Sequence, residues 1–258
     1  MSIIENKGIK IYYKVEGEGV PIVLIHGGFG NHQEWHVGDY INSLKNNFKL
    51  VLVDLRGHGQ SDKPHETKEY TTFSFCSDII AVMDELELEK AHCWGYSLGG
   101  YIAFGLSKYY PNRFLSFIIG GAYPQGFTGN ALKVQNHIRE NLKNNAEGLI
   151  ALSKERGDVI TAEYEQMIRS MDFKAINAWV NSEDLFTKID EHLPGLNLPF
   201  LFYAGEKDEF EPCPFLKEIS EKMKDAKAIM FQERGHEVHF IEGMVLPYVL
   251  EFLEEKNN

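Results

Sequence analysis

Ser97 lies in Gly95-Tyr96-Ser97-Leu98-Gly99, a G-x-S-x-G run. A serine between two glycines can act as a nucleophile where a sharp turn lifts its hydroxyl clear of the surroundings. A side chain at either flanking position would meet neighbouring backbone, which accounts for glycine at both. Chance alone would put such a pentapeptide in roughly one chain in ten of this size, so the motif needs support from the rest of the sequence. A free serine hydroxyl is a poor nucleophile at neutral pH. It requires a base to take its proton and an acid to orient that base. The chain offers ten histidines. His236 and His239 follow the last apolar run, and Gly205-Glu206-Lys207-Asp208-Glu209 follows the one before it. The plain alternative for that acidic stretch is a solvated loop, with Glu206, Glu209 and Glu211 as its neighbours.

These residues need elements that bring them together. Short β-rich runs at Ser2–Ile4 and Ile9–Val15, joined by Asn6-Lys7-Gly8, predict an edge hairpin. Pro21–Ile25, Lys49–Val53, Ala91–Trp94, Phe114–Ile119, Pro199–Tyr203 and Ala228–Phe231 are continuous apolar runs, the pattern of strands buried on both faces. Helices are expected at Glu34–Leu44, Phe73–Leu86 and Leu98–Tyr110, then at Phe215–Met223 and Phe240–Leu253. The alternation stops from about Tyr123 to Leu193. That segment reads as helices at Ala131–Asn144, Glu147–Glu155, Thr161–Ser170 and Phe173–Lys188. Strands alternating with helices predict an α/β fold, a mostly parallel sheet with helices on both faces. Sites in such sheets lie beyond the carboxyl ends of the strands. The unusual loops all follow strands: His26–Gly30, Asp54–Ser61, Tyr96–Leu98, Gly205–Glu211 and Gly235–His239.

The bulk composition excludes some classes. The 258 residues are enough for one large domain or two small ones, and the formal net charge is −12. That charge disfavours nucleic acid and anionic membranes as partners, since both need a basic face. Cys76, Cys93 and Cys213 are too few and scattered for a disulfide framework, and no Cys/His group has zinc-ligand spacing. Reduced thiols, no basic start followed by an apolar core, and no apolar run long enough to span a bilayer point to a cytoplasmic location.

With PIVLIHGG, VLVDLRGHGQS, WGYSLGG, LFYAGEKD and RGHEVHF in that order, the sequence resembles the α/β-hydrolase superfamily over residues 8–122 and 195–255. It is most similar to the small capped group of carboxylesterases, enol-lactonases and carbon–carbon-bond hydrolases. The resemblance implies an eight-stranded, mostly parallel sheet. It implies a core at 1–122 and 195–258 and a helical cap at 123–194. It selects Ser97 as nucleophile, His236 rather than His239 as base, and Asp208 as the acid. Oxyanion donors are expected from the amides of Leu98 and Gly28, with Phe29 as the alternative. His26, His58 and the Asp54–Ser61 loop are expected to be scaffold.

The pocket is expected to draw on Tyr96, Phe29, Trp35, Tyr123, Phe210 and Val238. Apolar cap residues such as Phe127, Ile138, Met167 and Trp179 divide between docking the cap and lining the cleft. Cys213, beside the acid loop, is expected to be an inert thiol. The chemistry needs neither metal nor organic cofactor, and its partner is a small-molecule substrate. The expected activity is cleavage of a small or medium apolar ester or lactone. The alternatives are carbon–carbon hydrolysis, perhydrolysis, aminopeptidase activity, or slow turnover in a ligand-binding or signalling protein.

Overall fold

The structure, a computed structural model, describes residues 2–126, 128–142, 145–156, 160–186, 188–210 and 214–257. Phe127, Glu211 and Cys213 lie outside these residues.

Strands β1 (Ser2–Asn6) and β2 (Ile9–Glu16) form an antiparallel hairpin. Its two-residue turn has positive φ at both Lys7 and Gly8, which suits the twist of the flanking strands. Strand β2 pairs antiparallel with β4 (Phe48–Val53). From there the sheet is parallel: β3 (Val20–Ile25), β5 (Ala91–Tyr96), β6 (Phe114–Gly120), β7 (Phe200–Gly205) and β8 (Ala226–Phe231). The eight-stranded order is β1-β2-β4-β3-β5-β6-β7-β8.

Strands β3 to β7 are largely buried because both faces are covered, whereas β8, expected from Ala228–Phe231 to be buried on both faces, is only half-buried because it lies at the sheet edge. Ile22, Leu24, Leu50, Leu52 and Trp94 point into one core, whereas Val23, Ile25, Val51, Val53 and Cys93 point into the other. Helix α1 (Tyr40–Leu44) contributes to the first core. Helices α2 (Thr72–Glu85) and α3 (Leu98–Tyr109) pack on the second. Between β6 and β7 the chain runs through α4 (Gly129–Leu142), α5 (Ala146–Glu155), α6 (Ala162–Arg169) and α7 (Phe173–Val180). After β7 comes α8 (Pro214–Lys222), which packs on the second core. After β8 comes α9 (Leu246–Asn257), which adds Val249, Phe252 and Leu253 to the first.

Three expected helices are shorter than their apolar patterns. The first begins as a 3-10 turn, His32–Asp39, and is interrupted where Gly38 takes φ 76°. The fourth segment helix stops at Val180, because core groups compete for the backbone beyond it. Ser182 Oγ donates to Tyr70 O, and Thr72 Oγ1 donates to the carbonyls of Asp184 and Leu185. The last begins only at Leu246, after Gly243 takes φ 71°. His236–Phe240 is instead a 3-10 turn.

Candidate active site

Ser97 stands between β5 and α3 with φ 52° and ψ −115°, a backbone that L-residues rarely adopt. Its amide donates to Gly120 O at 2.8 Å. The flanking glycines are sterically required. A Cβ on Gly95 would collide with Gly99 O, and one on Gly99 would collide with Ile25 O.

Ser97 Oγ lies 2.9 Å from His236 Nε2. His236 Nδ1 lies 2.9 Å from Asp208 Oδ2. The other Asp208 oxygen accepts the Phe210 amide at 3.0 Å. Asp208 is buried. A buried carboxylate against Nδ1 holds the proton there, so Nε2 faces the serine as an acceptor. Ser97, His236 and Asp208 therefore meet in one hydrogen-bonded line, brought from the ends of β5, β8 and β7.

His239 is buried in the first core, where Tyr203 Oη stands 2.8 Å from its Nδ1. Burial pushes its pKa down to about 3, so it is neutral. Among the described residues it makes no hydrogen bond with Ser97 or Asp208. His26 is a tie between loops. Leu55 N–H donates to its Nε2 at 3.1 Å, which leaves Nδ1 to donate to Gly27 O at 2.7 Å. Arg56 is a strut: its Nε and Nη2 donate to Asp78 at 2.6 and 2.8 Å.

The amides of Gly28 and Phe29 have no hydrogen-bond partner among the described residues. Leu98 opens α3, and the first amides of a helix have no acceptor within it. None of the three amides named by the sequence thus has a hydrogen-bond partner among the described residues. Phe29 is held at φ 64°, with its ring 5.3 Å from that of Trp179 in α7. A Cβ on Gly28 would stand 3.0 Å from the Trp179 ring. The helices between β6 and β7 thus touch the glycine loop directly.

A cleft of about 860 Å³ opens over Ser97 and His236. Phe29, Tyr96 and Phe210 line it, as do Ile138, Tyr164, Met167, Trp179 and Phe186 from the inserted helices and the turn after them. Trp35, Tyr123 and Val238 do not. All three are fully buried: Trp35 packs edge-on against Trp94 at 5.0 Å, Val238 lies in the same core, and Tyr123 lies in the other. Tyr96 serves structure as well as lining. Its phenol donates to His236 O, and its ring stacks on His239 at 4.2 Å. Of the three arginines of the inserted helices, Arg139 donates to Val180 O, Arg169 pairs with Glu147 and Glu165, and Arg156 lines the cleft. A second cavity of about 430 Å³ shares Phe29, Ile138, Arg156 and Glu209 with the first.

The sequence reading did not single out Glu34. It lines the cleft, and its Oε1 accepts the Gly27 amide at 2.9 Å. Burial pushes its carboxyl up to about 7. Only its place one residue before Trp35, after the glycine loop, marks it in the sequence.

The sequence model of the alpha/beta hydrolase fold family matches residues 20–147. Those residues belong to the α/β-hydrolase family, and the chain as a whole has the α/β-hydrolase fold. It is similar to 3-oxoadipate enol-lactonase 1 of Acinetobacter baylyi, with 26% identity over 216 residues, covering 80% of this chain and 79% of that protein. Among solved structures it resembles a thermophilic esterase from Thermogutta terrifontis, with a TM-score of 0.83 and 21% identity over all of both chains. It also resembles the enol-lactonase of Burkholderia xenovorans, with a TM-score of 0.83 and 20% identity over 98% of this chain and 100% of that one. At these identities the structural likeness establishes the α/β-hydrolase fold.

Proposed function

We propose that this α/β-hydrolase is a serine hydrolase that cleaves a small or medium apolar carboxylic ester or lactone through an acyl-enzyme on Ser97. The observation that carries this reading is the line from Ser97 Oγ through His236 to buried Asp208, at 2.9 Å for each step. In this reading residues 1–122 and 195–258 are the core, and 123–194 are the cap that closes over the cleft.

His236 Nε2 takes the serine proton as Oγ attacks the acyl carbon. The carbonyl electron pair moves onto oxygen, where the amide of Leu98 and that of Gly28 or Phe29 stabilise it. Collapse re-forms the carbonyl and breaks the bond to the alcohol oxygen, which leaves with the proton from His236. Water then repeats the sequence on the acyl-serine and releases the acid. The apolar walls from Phe29, Phe210, Met167 and Trp179 suit an apolar acyl or alcohol group. The esterase and the two enol-lactonases among the similar proteins support an ester or lactone as substrate.

Incubation with a fluorophosphonate followed by peptide mass spectrometry tests the reading. An adduct on Ser97, absent from Ser97→Ala, is expected. A folded wild-type protein that acquires no adduct would falsify it.

A further inference from the structure

Glu34 is a carboxyl group in the cleft wall that the line of Ser97, His236 and Asp208 does not use. It sits in the 3-10 turn His32–Asp39, which Asn31 caps by accepting from the Gln33 amide. This turn carries the side chain back under the glycine loop. There Oε1 accepts the Gly27 amide at 2.9 Å. The loop closes around the same carboxyl group from its other end, since a Cβ on Gly30 would collide with Oε2. A Cβ on Gly27 would stand 3.5 Å from each carboxyl oxygen. Gly28 and Phe29 lie between these two points of contact.

The grip on Gly27 comes from both sides. His26 Nδ1 holds its carbonyl at 2.7 Å, and Glu34 holds its amide. The loop's own closing hydrogen bond, Gly30 N–H to Gly27 O, is long at 3.3 Å. Phe29 is in the left-handed region, a strained backbone that persists only where the surroundings enforce it. The loop therefore depends on outside restraints, and Glu34 contacts it at both Gly27 and Gly30.

We propose that Glu34 is a positioning residue for the oxyanion loop: its carboxyl group fixes the segment that brings the Gly28 and Phe29 amides to the negative charge developing on the substrate. This rests on the hydrolase reading of Ser97. The interaction survives in either protonation state, because Oε1 is an acceptor in both. Its electrostatic effect does not. An ionised Glu34 sets a negative charge behind the loop, opposing the oxyanion, whereas the neutral acid does not. Burial pushes this carboxyl up to about 7, with the Gly27 amide and His236 acting against the rise. The other titratable groups that face it are Tyr40, Tyr96 and Tyr203, all pushed above the ordinary tyrosine range by burial. They stay neutral where Glu34 ionises.

The test uses the rate of fluorophosphonate labelling at Ser97, which needs no knowledge of the substrate, with folding checked by circular dichroism. Glu34→Ala removes the Gly27 contact and is expected to slow labelling roughly tenfold to a hundredfold, the scale of a misplaced oxyanion donor. Glu34→Gln keeps an acceptor of the same shape and should label within about threefold of wild type at pH 6, where the native carboxyl is mostly neutral. The ratio of Glu34→Gln to wild-type rate should then rise between pH 6 and 8, as only the native residue ionises. With a short p-nitrophenyl ester, the Glu34→Ala loss should fall on kcat rather than KM. Wild-type labelling by a folded Glu34→Ala overturns the proposal. If Glu34→Ala does not fold, Glu34→Met, which fills the space but cannot accept the Gly27 amide, takes its place, and wild-type labelling by that variant overturns the proposal. A wild-type protein that is not labelled at all refutes the hydrolase reading instead.

Discussion

The phenol of Tyr96 donates its hydrogen bond to the backbone carbonyl of His236. The residue before the serine thus holds the residue that faces it, from a different strand end. The same ring lies flat on His239, 4.2 Å away and inclined by 10°. The loop after β8 is therefore pinned to the elbow by a contact independent of Asp208. In Tyr96→Phe the packing survives, but the His236 carbonyl loses its partner. The expected cost is about 1–3 kcal/mol of stability, read by urea unfolding, together with a lower kcat and nearly constant KM for a short p-nitrophenyl ester. An unchanged kcat would show that the loop is held without the phenol.

Asp208→Asn addresses the tautomer of His236 more directly. The carboxylate keeps the proton on Nδ1, at 2.9 Å. An asparagine amide can turn its NH₂ toward Nδ1, forcing the proton onto Nε2 and leaving Ser97 facing a donor. The expected loss is on the order of 10⁴ in kcat, with the fold intact by circular dichroism. Loss of less than about tenfold would assign the orienting role to another group.

The parts of this molecule that were legible in the sequence are those set by short-range pattern. A strand buried on both faces must be apolar along its length, so PIVLI and PFLFY announced β3 and β7. The turn at Ser97 tolerates no side chain at its flanks, so Gly95 and Gly99 announced the elbow. Trp35, Tyr123 and Val238 show what pattern does not encode. Each lies in or beside a loop at the correct rim, but whether a ring turns up to the cleft or down to the core depends on partners far along the chain. For Trp35 these are Trp94 and His239, both 5.0 Å away. Glu34 was illegible for the same reason. Its role comes from a loop that folds back on it. The helix limits were misread where one residue departs from helical geometry, at Gly38 and Gly243, or where core hydroxyls capture the backbone beyond Val180.

Buried histidines make the fold acid-sensitive. Burial pushes His58 and His239 down to about 3, and it lowers His26 as well. In the unfolded chain they titrate near 6.5. Between those values the unfolded state binds protons that the folded state refuses, so their contribution is complete above 6.5 and is lost as the pH falls. Glu34 acts in the opposite sense, since it takes up its proton in the fold at about 7 and in the unfolded chain only near 4.5. Asp78, also raised by burial, acts in the same sense as Glu34. Three histidines oppose these two carboxyls, and net stability should fall from pH 6.5 to 5, where ordinary carboxylates remain ionised. Urea midpoints across that interval measure it. His58→Asn should give a shallower slope, because it removes one of these titrating groups, while its amide can still donate to Arg56 O, as His58 Nδ1 does at 2.9 Å. A pH-independent midpoint from 6.5 to 5 would contradict the assignment of these histidines as neutral.

The second cavity gives the substrate reading a length scale. It lies between α4 and α5, and it continues from the cleft past Phe29 and Ile138. Val134, Leu149 and Leu152 line it, with Lys133, His137 and Glu155 also contributing, and His137 and Glu155 meet at 3.0 Å. An unbranched chain extending from Ser97 would bury its end against these apolar residues. Esters of increasing acyl length, and separately of increasing alcohol length, distinguish which arm enters. The preferred arm should show kcat/KM rising with length before it levels off. Val134 lines only the second cavity, so Val134→Phe should fill it and leave the serine untouched. The expected result is unchanged turnover of an acetate ester and a roughly tenfold loss for the longer one, the worth of one to two buried methylenes at ~0.8 kcal/mol each. An equal loss on both esters would mean that the substitution disturbs α4 itself, and no loss on either would mean that the chain leaves the cleft by another route.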